Sequence, residues 1–484
     1  MSSAKKTTPS RAPSAGVTAG ATGGGKGAKG TSDYRLPPGS AWASAWKIFA
    51  GIGAGGLALS AVGYFADPGR FAYSYLFAFF LFLTLALGGI FFILIDRLTS
   101  AGWSITPRRT AEFFASGSPV FLVLFLPLLL CLGTLYPWLG EKPEAVPSAH
   151  AAQVDPQKGT HEPAHAAPGA TGLAGTRDPM PASHAGEHAA PGIHGEHHAD
   201  PEEMQEEELL AHKSPWLNKT GFIVRAIVYL VAFAVIGTMF FGFSTKQDTT
   251  KDPRLTVQAQ RYAPIATFVF GFTLTGAAFD WLMSLLPSWY STIFGVTIFA
   301  GSVVAIYATL IIVSMALNGA GHLKNAVNVE HYHDLGKLLF GFLVFWAYVS
   351  FAQFMLIWYA AIPEEVTFYH HRWDVGPWKT VSLVIVFCHF VIPFFLLLSR
   401  NTKRKLGFLR LGAIWLLVMH TVEMYWFVMP YYQGGEWSFH WLDVTCFLGI
   451  GGVYLAVVLN RMTKHPLIPV GDPRLSRSLT FENA

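Results

Sequence analysis

Ten stretches of this chain stay apolar for longer than the ~18 residues that mark a membrane-crossing helix. They run over 44–66, 72–95, 117–139, 219–244, 262–287, 290–318, 336–361, 379–399, 405–428 and 440–461. Lipid offers no partner to a backbone N–H or C=O, so only helices and closed barrels cross it. Runs this long, without the two-residue alternation of a barrel strand, predict helices. The expected fold is an all-α polytopic membrane protein of about ten transmembrane helices. Composition agrees, because 13% of the 484 residues are charged and 52% are hydrophobic, against about 25% charged in soluble chains. Mean hydropathy is +0.38. Soluble enzymes, nucleic-acid binders and secreted disulfide scaffolds are excluded.

The runs divide the chain into a basic tail (1–40), three spans (44–139), a long connection (140–218), seven spans (219–461) and a short tail (462–484). The first tail is rich in Ser, Ala, Gly and Lys and lacks an apolar h-region, so it reads as disordered and not as a cleaved signal peptide. Orientation follows from Lys and Arg, which gather on cytoplasmic loops. With both termini cytoplasmic, the inner set holds Lys5, Lys6, Arg97, Arg108, Arg109, Lys246, Lys251, Arg254, Lys403, Arg404 and Arg461, whereas the short outer loops hold Arg70, Arg372 and Lys379. The 140–218 connection then faces outside. Nine of the 18 His lie in it, and Gly-Glu-His recurs at Gly186 and Gly195. Imidazole suits zinc, copper or nickel, but without a fixed ligand spacing the segment equally reads as a flexible low-complexity insertion.

Cys131, Cys388 and Cys446 each sit inside an apolar run, where a thiol behaves as a small hydrophobe. With no C-x-x-C-H and no cysteine cluster, no metal or redox cofactor is expected on this chain. Titratable groups at membrane depth are costly and mark sites or pathways. Asp280, Ser284, Gln353, His420, Glu423 and Asp443 fall toward the outer half of their runs, and His389 lies near the middle of its own. His420 and Glu423, at i and i+3, share a helix face. Together these residues predict a polar chamber open to the outside, suited to relaying protons or accepting them from a quinol hydroxyl. Mutual satisfaction between helices explains the same residues. His389 and His420 also raise a haem-ligand reading, which the absence of nearby glycines for close macrocycle approach weighs against.

At the inner face Asp96, His333, Asp334 and Lys337 form a candidate proton entry, although a solvated helix start accounts for Asp334 as well. Outside, Pro363-Glu-Glu and Tyr369-His-His-Arg-Trp combine an aromatic belt with a surface fit for docking another subunit.

The strings beginning at Asp280 (Asp-Trp-Leu-Met-Ser-Leu-Leu-Pro-Ser-Trp-Tyr-Ser-Thr-Ile-Phe-Gly), Asp334 (Asp-Leu-Gly-Lys-Leu-Leu-Phe-Gly-Phe), Phe345 (Phe-Trp-Ala-Tyr), Gln353 (Gln-Phe-Met-Leu-Ile-Trp-Tyr) and Ile362 (Ile-Pro-Glu-Glu) carry a resemblance. Over about residues 44–465 the sequence resembles the F subunits of alternative complex III, NrfD-like membrane proteins of quinol oxidoreductases. The resemblance implies ten helices built around two four-helix bundles in a bacterial inner membrane. It implies electron transfer from quinol to a cytochrome c or a terminal cytochrome oxidase. Haem c and iron–sulfur clusters would belong to partners: a multihaem cytochrome c, an iron–sulfur protein and a second NrfD-like subunit. It also implies a proton path, onto which Asp280, His389, His420, Glu423 and Asp443 map. The His-rich insertion and the basic tail depart from the family pattern.

The expected function is therefore a cofactor-free subunit serving as scaffold and proton conduit in a respiratory quinol:cytochrome c oxidoreductase. Two rivals stay open. A quinol-binding catalytic subunit would place the head group in the outer chamber. A secondary transporter would use helices broken at Gly or Pro in matching repeats; Gly51, Gly53, Gly55, Gly56 and Pro393 lie within runs, but no repeat relates the halves.

Overall fold

The computed structural model describes residues 34–139, 208–374, 376–432 and 439–482. The expected basic tail up to residue 33, and the insertion from 140 to 207 with eight of its nine His, lie outside the described residues. Among the described residues there is no strand, and ten helices are long and apolar enough to cross a membrane. They are α1 (Ala41–Ala66), α2 (Pro68–Thr99), α3 (Ile105–Leu130), α4 (Lys219–Thr250) and α5 (Arg254–Leu285). After them come α6 (Phe294–Gly319), α7 (Val329–Ala360), α8 (Trp378–Leu398), α9 (Leu406–Tyr431) and α10 (Trp441–Lys464). The protein is an all-α, multi-pass membrane protein.

The helices overrun the apolar runs, and α3 does so most. Its expected run was 117–139, whereas the helix begins at Ile105. Arg108, Arg109 and Glu112 hide this first part from a hydropathy count, yet all three are fully buried and pair with one another. Pro119 and Pro127 then divide the rest into short pieces, Val120–Leu124 and Leu126–Leu130, since each proline lacks an N–H and its ring crowds the preceding turn.

α2 is the pillar of the fold, buried along nearly its whole length. It packs on α3 and α5, and α4 completes that group of four. α6 packs on α7 and α9, with α8 completing a second group, and α2 against α6 joins the two. α1 lies outside them, seated on α10. This contact explains the glycine row of α1. A Cβ at Gly53 would stand 2.5 Å from Val453 N and one at Gly56 2.5 Å from Gly449 N, while Gly51 and Gly55 face open space. The row is a backbone-to-backbone seam of small residues, not a break in the helix.

Both described ends lie on one side, where the Leu467 N–H donates to the Tyr34 carbonyl at 2.8 Å. We call this the terminal face and the opposite side the distal face. α8 carries the one irregularity that bears on chemistry. Its turns over Ile385–Val391 are π-helical. In these turns the bonds run five residues back, Ile392 N–H to the Phe387 carbonyl, and Pro393, which has no N–H, leaves the next carbonyl, that of Cys388, without a donor. Trp415 Nε1–H takes up the freed Cys388 carbonyl at 2.7 Å.

Candidate functional site

α2 serves as a depth ruler. Arg70 and Ser74 mark its distal end, Thr84 its middle and Asp96 its terminal end; at ~1.5 Å per residue, Thr84 lies about 15 Å from Ser74 and about 18 Å from Asp96. The sequence-selected residues sort onto this ruler as separate groups. They do not form one distal chamber.

Two distal carboxylates are each clamped by an arginine. Asp443 pairs with Arg70 and accepts from Ser74 Oγ at 2.6 Å and Tyr425 OH at 3.1 Å. Its other role is local, closing a capping box with the His440 N–H at 3.1 Å. Asp280 accepts from Arg225 Nε at 2.7 Å, Trp216 Nε1 at 2.9 Å and Tyr229 OH at 3.1 Å. The Arg225 guanidinium in turn lies over the Trp216 ring, 4.2 Å from its centroid. Ser284 donates to the Asp280 carbonyl at 2.5 Å, and Gln353 accepts from Ser291 Oγ at 3.3 Å. Paired in this way, Asp280 and Asp443 tie α5 to α4 and α10 to α2.

At the terminal end Asp96 accepts from Ser104 and from Arg108 at 2.8 Å. Arg108 also reaches Glu112 at 3.0 Å and Asp472 at 2.7 Å, and Arg109 reaches Asp248 at 2.7 Å. Arg97 stands within 3.8 Å of Glu112 and 3.7 Å of Asp472, and Arg474 within 3.4 Å of Asp472. Four arginines thus meet four carboxylates. The remaining members of the expected proton entry are elsewhere: Asp334 pairs with Lys337 at 2.5 Å, beside His333, on the first turns of α7.

The middle group differs. His420 Nδ1 lies 3.1 Å from Glu423 Oε2, and His420 Nε2 lies 2.9 Å from Thr84 Oγ1. Trp346 Nε1–H donates to Glu423 Oε1 at 2.6 Å. His389, carried by the π-helical turn, stacks on Trp346 with centroids 4.1 Å apart and places Nδ1 3.9 Å from Glu423 Oε2. His389 and His420 are 0% exposed and Glu423 2%, and among the described residues neither ring nitrogen of His389 has a hydrogen-bond partner. Gly301 on α6 leaves the space, since a Cβ there would stand 3.2 Å from both Glu423 Oε2 and His420 Cε1. The group lies at mid-depth because α9 extends to Tyr431, past the end of its apolar run.

Among the described residues, no group of three or more His, Cys, Asp or Glu is arranged to hold a metal ion.

No family model and no curated protein matches the chain.

The hydrogen bonds of the middle group set its chemistry. The Thr84 hydroxyl donates to the Leu81 carbonyl at 2.6 Å, so toward His420 it accepts, and Nε2 carries the hydrogen. Nδ1 and Glu423 Oε2 then hold one proton between them, as imidazole with carboxylic acid or as imidazolium with carboxylate. A haem iron at His420 would take one ring nitrogen and cost it the bond made there, to Thr84 at Nε2 or to Glu423 at Nδ1.

Thr84 and Gly301 gave no signal in the sequence, being an ordinary hydroxyl and glycine in apolar helices, and Trp346 stood out only as part of the Phe345-Trp-Ala-Tyr string. Arg225 was legible as an arginine inside an apolar run, and Arg108, Arg109 and Glu112 by their i+4 and i+3 spacing.

Proposed function

We propose that this chain is the cofactor-free membrane subunit of a respiratory quinol:cytochrome c oxidoreductase of the alternative complex III type, and that His420, Glu423 and His389 form its proton-holding element. The resemblance of the strings at Asp280, Asp334 and Gln353 supports the family. The observation that carries the chemistry is the buried contact of His420 Nδ1 with Glu423 Oε2, 3.1 Å apart at the middle of the helices, with a second imidazole 3.9 Å from the same oxygen; we infer that the contact holds one proton. Carboxylate and imidazole exchange a proton readily at such separations. A small rotation of the Glu423 carboxyl transfers it toward His389. On this reading the electron carriers reside in partner subunits bearing haem c and iron–sulfur clusters, the membrane is a bacterial inner membrane, and both termini are cytoplasmic. Asp280 and Asp443, committed to Arg225 and Arg70, act as anchors outside the relay.

The test is to purify the chain from its native membrane through an affinity tag and assay what accompanies it. A multihaem cytochrome, an iron–sulfur protein and quinol:cytochrome c reductase activity are expected. A chain that arrives alone, stable and without haem would overturn the assignment in favour of a transporter. In the intact complex, Glu423→Gln keeps the shape of the side chain and removes its exchangeable proton. Proton-coupled turnover is expected to fall at least tenfold without loss of assembly, and unchanged coupling would remove the relay.

A further inference from the structure

On the terminal face, apart from the groups described above, the end of α6 and the starts of α7 and α9 border an open pocket of about 370 Å³. Asn318, Gly319, Tyr332, Leu406, Gly407 and Arg410 line it. Arg410 is exposed and makes no ion pair or hydrogen bond with any described residue. Its neighbours are committed: Arg404 forks onto Glu330 at 2.5 and 2.8 Å, and Lys337 pairs with Asp334. Tyr332 is 1% exposed, and its hydroxyl makes no well-formed hydrogen bond although Asn318 is beside it. The N-terminus of α9 opens on the same space without a side-chain cap and without an acidic residue in its first turn. Unpaired N–H groups and the positive end of the helix dipole therefore face the pocket. A helix N-terminus combined with a free guanidinium is an anion site, and the planar fork fits phosphate oxygens two at a time.

Depth indicates the source of the phosphate. Arg410 is four residues into α9, about 6 Å from its start, which would bring it near the headgroups of a bilayer that α9 spans. From it Leu411, Ile414 and Val418, exposed by 55%, 45% and 56%, continue along the helix as an apolar track toward the midplane. We propose that this pocket binds the phosphate of an anionic phospholipid, with the headgroup on Arg410 and the N-terminus of α9 and one acyl chain along the track.

The experiment uses the full chain in neutral detergent, read by thermal unfolding and by native mass spectrometry. Phosphatidylglycerol, phosphatidylcholine and inorganic phosphate are titrated separately. Phosphatidylglycerol is expected to raise the melting midpoint and remain bound in the gas phase. Arg410→Gln should weaken its apparent affinity at least tenfold, Arg410→Lys less, and Arg254→Gln, at an exposed arginine elsewhere on the same face, not at all. A midpoint raised by inorganic phosphate and abolished by Arg410→Gln would keep the phosphate site but assign it to a soluble ligand. Binding of phosphatidylglycerol that Arg410→Gln leaves intact, or stabilisation by phosphatidylcholine to the same extent, would overturn the proposal.

Discussion

Two buried polar groups, one on the terminal face and one at mid-depth, both contain carboxylates and differ in what faces them. On the terminal face four arginines meet four carboxylates, with Arg108 at the centre touching Asp96, Glu112 and Asp472. At mid-depth one carboxylate meets two imidazoles, and neither ring nitrogen of His389 has a hydrogen bond with a described residue. Charge balance fixes the first group in one state, since any change leaves an unpaired ion in a medium that penalises it heavily. In the second, on the function proposed above, one proton can sit on either partner. Burial is common to both groups; charge balance is what separates them.

Removing the centre of the balanced group should have the largest effect. Arg108→Ala leaves Asp96, Glu112 and Asp472 without their shared cation, and truncating one partner of a buried ionic cluster costs about 3–5 kcal/mol. Expression of folded protein and its melting midpoint in detergent would show the loss. A midpoint within a few degrees of wild type would mean the group is solvated and not structural.

Asp472 gives a smaller, pH-resolved version of the same test. Burial opposes its ionisation, but the charge and hydrogen bond of Arg108, with Arg474 beside it, hold its carboxyl well below the ordinary carboxylate range. A depressed value in the folded state means that the stabilisation is complete above the ordinary carboxylate value near 4 and is lost as pH falls below it. Asp472→Asn should cost about 1.5–3 kcal/mol at neutral pH, the worth of a hydrogen bond to a charged group. The gap between mutant and wild-type midpoints should narrow on acidification. A gap independent of pH would show that the pair contributes nothing through its charge.

These two groups also divide what the sequence reveals from what it conceals. Ten apolar runs made the all-α, ten-span architecture legible, because a lipid-crossing helix must be continuous and uncharged over most of its length. His420 and Glu423 were legible for the same reason, being expensive where they stand. The start of α3 was lost to the apolar-run count, which penalises each of Arg108, Arg109 and Glu112 and gives no weight to their i+4 and i+3 pairing along the helix. Nor was the separation of Asp280 and Asp443 from His420 legible, because Arg225 and Arg70, which immobilise them, approach from other helices. Depth counted from the ends of apolar runs also shifted, as the helices extend past those runs.

Within the mid-membrane group, Thr84→Val removes the hydroxyl that accepts from His420 Nε2 while keeping the volume and branching of the side chain. The cost of leaving that buried donor unpaired is about 1–2 kcal/mol. The diagnostic result is not stability. Without an acceptor at Nε2, His420 is released to place its hydrogen on either nitrogen, and the pH profile of coupled turnover should shift while quinol affinity holds. A uniform loss of turnover at every pH would instead mark Thr84 as packing.

The finest distinction concerns where the shared proton rests. Trp346 touches both sides of the group, stacking on His389 and donating to Glu423 Oε1 at 2.6 Å. Trp346→Phe keeps the stack and deletes the donor, at a cost of about 0.5–1.5 kcal/mol for one intramolecular hydrogen bond. A donor to a carboxylate stabilises its charged form, so deleting it should draw the proton from His420 toward Glu423. Difference infrared spectroscopy of the complex would then show a stronger protonated-carboxyl band, absent when Glu423→Gln is combined with it. If the band is the same in wild type and Trp346→Phe, the proton does not respond to the ring that holds the carboxylate, and the mid-membrane group is as fixed as the arginine cluster beneath it.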